Sequence, residues 1–171
     1  MSEVRIAEFS GDRVYRYTLE IIWRENAGLV QFIGLNPSTA DELKDDPTVR
    51  RCKGFAKSWG FGGIVMTNLF AFRSTDPEVM RCHPNPIGEE GQFGLPTYLE
   101  PLKNRNDFAL YSTAARCDLT IACWGCHGAH LYRAAKVKLW MLPMHYLALT
   151  KGGFPQHPLY LKSDLKPQPY Q

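Results

Sequence analysis

No apolar run in this 171-residue chain approaches the roughly 18–20 residues needed to cross a bilayer. No basic patch followed by a long apolar stretch opens it, Met1 to Ile6 reading MSEVRI, so no secretory signal is expected. Neither sign of charge dominates: 20 Lys and Arg face 17 Asp and Glu, and the net of +3 is too small to name a partner. Internal repeats and low-complexity tracts are missing too. With 44% apolar and 22% charged residues, disorder, collagen and coiled coil are excluded. Two nucleotide signatures are absent, Gly-x-x-x-x-Gly-Lys-Ser/Thr and Gly-x-Gly-x-x-Gly, so nucleoside triphosphatases and dinucleotide enzymes lose their usual support. What remains is one domain over residues 1–171, with room for a single core. The expected compartment is the reducing cytoplasm, where the five cysteines are free thiols.

The charge that is present is unevenly placed. From Leu131 to Gln171 there are six basic residues (Arg133, Lys136, Lys138, Lys151, Lys162, Lys166) and one acid, Asp164, while the first 130 residues are slightly acidic. A basic quarter of this kind either meets phosphates or forms a solvated surface.

Alternating strand-like and helix-like segments fill most of the chain. Val14–Glu25 and Leu29–Leu35 are rich in β-branched and aromatic residues. Asn26-Ala27-Gly28 between them reads as the turn of an N-terminal β-hairpin. Asp46-Pro47-Thr48 starts a helix with Val49, Cys52, Ala56 and Trp59 at three-to-four spacing, and Gly60 to Gly63 stops it. Ile64–Phe72 is a continuous apolar strand, and residues 74–97 form a long Pro/Gly-rich loop. A helix over Asn106–Cys117, a strand over Leu119–Trp124, a helix over 129–140 and a short strand at Tyr146–Leu149 complete the pattern. Such alternation predicts an α/β fold with a mainly parallel sheet, whose ligand crevice lies beyond the carboxyl ends of the strands. Asn36, Asn68, Trp124 to His127 and Lys151 to His157 all fall at those ends.

Each polar group there has two readings. Asn36-Pro37-Ser38-Thr39-Ala40-Asp41 is either a capped turn or an anion-holding turn whose Asn amide orients a water. Asn68, inside an apolar strand, either ties strands together or reads a ligand edge. His157, held between Gln156 and Pro158 in Pro155-Gln156-His157-Pro158, is either a surface residue or a donor to a leaving group. Cys123-Trp124-Gly125-Cys126-His127 matches haem-attachment, dithiol and zinc-ligand spacings. Cys123, however, closes an apolar strand, and no second cluster is present. The favoured reading is a core Cys123 and a loop Cys126, with no metal and no cofactor.

With these residues in hand, two resemblances stand out. Gly34-Leu35-Asn36-Pro37, Thr67-Asn68-Leu69 with Arg73 to Pro77, and Phe154-Pro155-Gln156-His157-Pro158 resemble the motifs of the mismatch-specific branch of the uracil-DNA glycosylase superfamily. This likeness covers most of residues 29–161. A closer one, along nearly the whole chain, is to an uncharacterised bacterial and phage domain family of unknown function. It shares Asn36-Pro37-Ser38-Thr39-Ala40-Asp41, Asp46-Pro47-Thr48-Val49-Arg50-Arg51, Asn68-Leu69-Phe70-Ala71, Asn106-Asp107 and His157-Pro158-Leu159-Tyr160-Leu161. The first resemblance implies a three-layer α/β/α sandwich that cleaves the N-glycosidic bond of a nucleobase, with DNA or a nucleotide as partner. In that scheme Asn36 and His157 are catalytic, Asn68 holds the base edge, and Ser38, Thr39 and Asp41 line the substrate site. Arg50, Arg51, Arg73 and Lys151 hold phosphates, and Phe70 or Trp124 stacks on the base. Ser38 replaces the family's Gly, Leu159 replaces its Ser, and the four-cysteine iron–sulfur pattern of some branches is absent. These departures imply a changed substrate. The alternative is a non-catalytic nucleotide or nucleic-acid binding module on the same scaffold.

Overall fold

The computed structural model describes residues 3–38, 44–90, 104–141 and 143–170. Among the described residues seven strands form one mixed sheet, β1 (Val4–Phe9), β2 (Arg16–Ile22), β3 (Leu29–Gly34), β4 (Gly63–Asn68), β5 (Leu119–Ala122), β6 (Met144–Tyr146) and β7 (Gln168–Tyr170). Their order is β1-β2-β4-β3-β5-β6-β7. The centre is parallel, with β3 pairing β4 and β5, and β5 pairing β6, while β1, β2 and β7 run antiparallel at the edges. The helices are α1 (Pro47–Ser58), α2 (Pro77–Cys82), α3 (Arg105–Arg116) and α4 (Arg133–Trp140).

Strand alternation divides the core in two. Val30 and Phe32 of β3 and Ile121 of β5 pack with Val49, Cys52, Phe55 and Ala56 of α1. Ile33 and Ala122, one residue on and so on the opposite pleat, pack with Leu110 of α3 and Ala134 and Val137 of α4. Buried Gln31 lies on that second face and stays satisfied, because its Nε2 donates to Thr67 Oγ1 and the Leu110 carbonyl, each at 3.0 Å. Among the described residues no helix is long and apolar enough to cross a membrane.

The helix over Pro47–Ser58 begins where the sequence places it, with Asp46 as cap accepting from Val49 N at 2.8 Å. The N-terminal hairpin does not form between the expected segments. It joins β1 to β2, and β4 lies between β2 and β3. Gly62 makes this possible. The Asn26–Gly28 connector wraps around it, Ala27 and Gly28 carbonyls accepting from its N–H at 3.0 Å. A Cβ at Gly62 would sit 1.9 Å from the Arg24 carbonyl oxygen. The connector therefore closes around a third strand instead of pairing its flanks. The last expected strand, Tyr146–Leu149, forms instead at Met144–Tyr146, and other boundaries differ. The apolar run 64–72 is a strand only to Asn68. The long loop contains α2, capped by Asp76, whose Oδ1 accepts from Glu78 N at 2.8 Å. Positive φ at Leu131 and Tyr132 delays the fourth helix to Arg133.

Candidate functional site

A cleft of about 830 Å³ opens at the carboxyl ends of the parallel strands. Asn36 and Ser38 after β3, Asn68 at the end of β4, Trp124 to His127 after β5, and Thr150 with Gln156 to Tyr160 after β6 all line it. Asn36, Asn68 and His157, far apart in sequence, therefore share one cavity.

Asn36 is held by the loop after β4. Its Nδ2 donates to the Ser74 carbonyl at 2.8 Å and to the Pro37 carbonyl at 3.3 Å, and Ser74 N donates to the Pro37 carbonyl at 2.9 Å. With the amide nitrogen committed, Oδ1 is the group left to accept from a water or ligand. Asn68 is 6% exposed, yet among the described residues its side-chain amide has no hydrogen-bond partner. Its backbone is clamped from behind. Asn106 Nδ2 donates to the carbonyls of Asn68 and Leu69 at 3.0 and 3.1 Å, and Arg133 Nε donates to the Leu69 carbonyl at 2.8 Å. Arg133 in turn pairs with Asp107, both nearly fully buried. Gly34 leaves room for the Asn68 amide, since a Cβ there would lie 2.7 Å from Oδ1.

His157 is carried in by a chain reversal. Thr150 N donates to the Phe154 carbonyl, Gln156 N to the Ala148 carbonyl and Gly125 N to the Pro155 carbonyl, each at 2.8 Å. Its Nδ1 accepts from Leu159 N at 3.4 Å, which leaves the proton of the neutral ring on Nε2. Burial pushes its pKa below the usual histidine value, and the nearby Asp46 carboxylate opposes that shift. Asp46, legible in the sequence as a helix start, is one wall of the cleft. It also accepts from the Ser38 hydroxyl at 3.1 Å, so Ser38 braces the cap. Arg16, 6% exposed on β2, is a second lining residue that strand pattern alone did not single out.

Other expected site residues lie elsewhere. Phe70 is fully buried in the core beside His130, because the chain turns inward after Asn68. Arg50 donates to the Asp45 carbonyl on an exposed face. Arg51 donates to the Leu161 carbonyl and lies over the Phe55 ring, pinning the C-terminal segment to α1. Arg73 donates to the Arg13 carbonyl at 3.1 Å and packs over Phe9 of the hairpin. Lys151 is exposed on the Thr150–Phe154 turn, and only Thr150 of that turn lines the cleft. Thr39 and Asp41 fall outside the described residues. Trp124 does line the cleft, but at 1% exposed it forms a wall with no open ring face. Cys123 also lines the cleft, as a buried thiol donating to the Ile33 carbonyl at 3.3 Å, and burial raises its pKa strongly, so it is a neutral wall group. Among the described residues no three His, Cys, Asp or Glu side chains are grouped to hold a metal ion.

A family profile described as protein of unknown function (DUF1643) matches residues 16–159. No curated protein and no solved structure matches the chain.

Proposed function

The chain belongs to DUF1643, a family of proteins of unknown function, and from that premise we propose that its cleft hydrolyses the N-glycosidic bond of a nucleobase. The observation that carries this reading is the shared lining of one cavity by Asn36, Asn68 and His157. Their chemistry is complementary. The Asn36 oxygen accepts a hydrogen bond from the attacking water. The Asn68 amide, with both a donor and an acceptor, pairs with the edge of the base. His157, kept neutral by burial, donates from Nε2 to the charge that develops on the departing base. The bond from the sugar carbon to the base nitrogen breaks, and the water oxygen bonds to that carbon. The electron pair leaves with the base, which is finally protonated by the water's proton. The resemblance to the uracil-DNA glycosylase superfamily supports the same assignment. So does the placement of helix contacts on both faces of the sheet, as a three-layer α/β/α sandwich requires.

A second reading, a nucleotide-binding module without catalysis, draws on the arginines. Arg50, Arg51 and Arg73 are directed to protein carbonyls instead of the cleft, so the expected grip on flanking phosphates is missing from those positions. Incubation with DNA, RNA and free nucleosides carrying normal and modified bases separates the two. Hydrolysis predicts free base, lost in Asn36→Ala. Binding without release of base from any substrate supports the module.

A further inference from the structure

The turn that carries His157 presents an aromatic ring that none of the assigned roles uses. Pro158 and Leu161 are buried at its two ends, and Arg51 of α1 donates to the Leu161 carbonyl. Between these anchors Leu159 and Tyr160 project outward, 40% and 82% exposed. Tyr160 nevertheless lines the cleft, with its ring centre 5.9 Å from that of His157 at an interplanar angle of 51°. The two aromatics expected to stack on a ligand are unavailable, since Phe70 is outside the cleft lining and Trp124 shows almost no surface. A tyrosine held at a cavity rim by buried neighbours, 82% exposed and with the His157 ring as its aromatic neighbour, contributes little packing in the free protein.

We infer that Tyr160 is the aromatic face on which the flat ring of the ligand stacks, closing the cleft over His157. The inference rests on the nucleobase reading and adds to it the residue that selects planar aromatic rings. Base–aromatic stacking is tolerant of base identity, because every base offers a π-face. Tyr160 therefore supplies affinity for the class, while the Asn68 amide reads the edge. With the two ring centres 5.9 Å apart, a ligand stacked on Tyr160 lies beside the His157 ring. Arg51 acts at a distance, as the residue that positions the turn.

The test is calorimetric titration of the full chain with uridine, thymidine, adenosine, guanosine and 5,6-dihydrouridine, whose ring is puckered and not aromatic. Wild type and Tyr160→Phe are expected to bind a planar nucleoside alike, and Tyr160→Ala about 5- to 150-fold more weakly. Wild type is expected to prefer uridine to dihydrouridine, and Tyr160→Ala to lose that preference. Equal binding of uridine, or of whichever planar nucleoside binds, by wild type and Tyr160→Ala overturns stacking while leaving the nucleobase reading in place. An equal loss in Tyr160→Phe assigns the effect to the hydroxyl and also overturns it. Binding of no nucleoside by the wild type overturns the inference, while the hydrolysis reading is overturned separately, by failure to release base from DNA and RNA as well.

Discussion

The end of β4 and the His157–Leu161 turn face the same cleft on very different supports. Behind Asn68, the strand end is fixed by hydrogen bonds from Asn106 and Arg133 that run from 2.8 to 3.1 Å, backed by a buried Arg133–Asp107 pair. The turn opposite is joined internally by longer contacts: 3.4 Å from Leu159 N to the His157 ring, 3.4 Å from Tyr160 N to the His157 carbonyl and 3.2 Å from Leu161 N to the Pro158 carbonyl. The first wall is built to hold one geometry. The second is anchored at its ends by Arg51 and by buried Pro158 and Leu161, and between them it concentrates exposed side chains and long internal bonds, so its middle is the part that adjusts at least cost when a ligand arrives. On the proposed reading, a fixed reader facing an adjustable cover suits a site that first recognises a flat base and then encloses it.

Breaking the fixed wall has the largest predicted effect. Asp107→Ala strands the Arg133 guanidinium, 2% exposed, without its counter-charge, and should cost about 3–5 kcal/mol in denaturant unfolding. Replacing both partners with apolar residues of similar volume should recover much of that loss. Asn68→Ala sharpens the comparison from the other side. Its side chain bonds to no described residue, so stability should fall by less than about 1 kcal/mol while ligand affinity falls roughly tenfold. Asn106→Ala should damage both, because it frees the strand end itself.

The adjustable wall is best probed by pH. The folded-state pKa of His157 lies below its ordinary value of 6.5. The unfolded chain therefore binds a proton first as pH falls. Stability should be complete above 6.5 and decline as pH drops from there through the folded pKa. Asp46→Asn keeps a capping side chain for α1 but removes the charge that opposes this shift. Titration of the His157 ring by NMR should give a still lower pKa in that variant. An unchanged value would remove Asp46 from the site's electrostatics. The smallest effect is expected at the thiols. Exposed Cys82 and Cys126 should react with a thiol reagent in the native protein, and buried Cys52 and Cys123 only after unfolding.

Much of this arrangement is written locally. Asp46-Pro47 announces α1, and Asn36 and Asn68 can be placed at strand ends because the residues before them are strand formers, while His157 follows the last predicted strand in a Pro-rich segment. What the local pattern hides is tertiary. The turn at Asn26–Gly28 looks like a hairpin until β4 inserts at Gly62. Arg51 and Arg73 look like phosphate ligands because no sequence rule reports that a distant carbonyl or ring will take them. The motif Asn106-Asp107 carries no visible chemistry, and its use as a clamp on β4 becomes clear only when α3 packs behind the sheet. Tyr160 is unremarkable in a Pro-rich tail until Pro158 and Leu161 are seen to be buried on either side of it.

The central claim is that this cleft adds water across an N-glycosidic bond. The most direct measurement is product analysis in water enriched in ¹⁸O, with the same panel of nucleic acids and nucleosides. The account predicts free base together with a sugar labelled at the carbon that held it. It also predicts a yield about 10²–10³-fold lower in Asn36→Ala, on the scale of losing one hydrogen-bonding group to the transition state. Failure to release base from any substrate, or equal yields from wild type and Asn36→Ala, would contradict it.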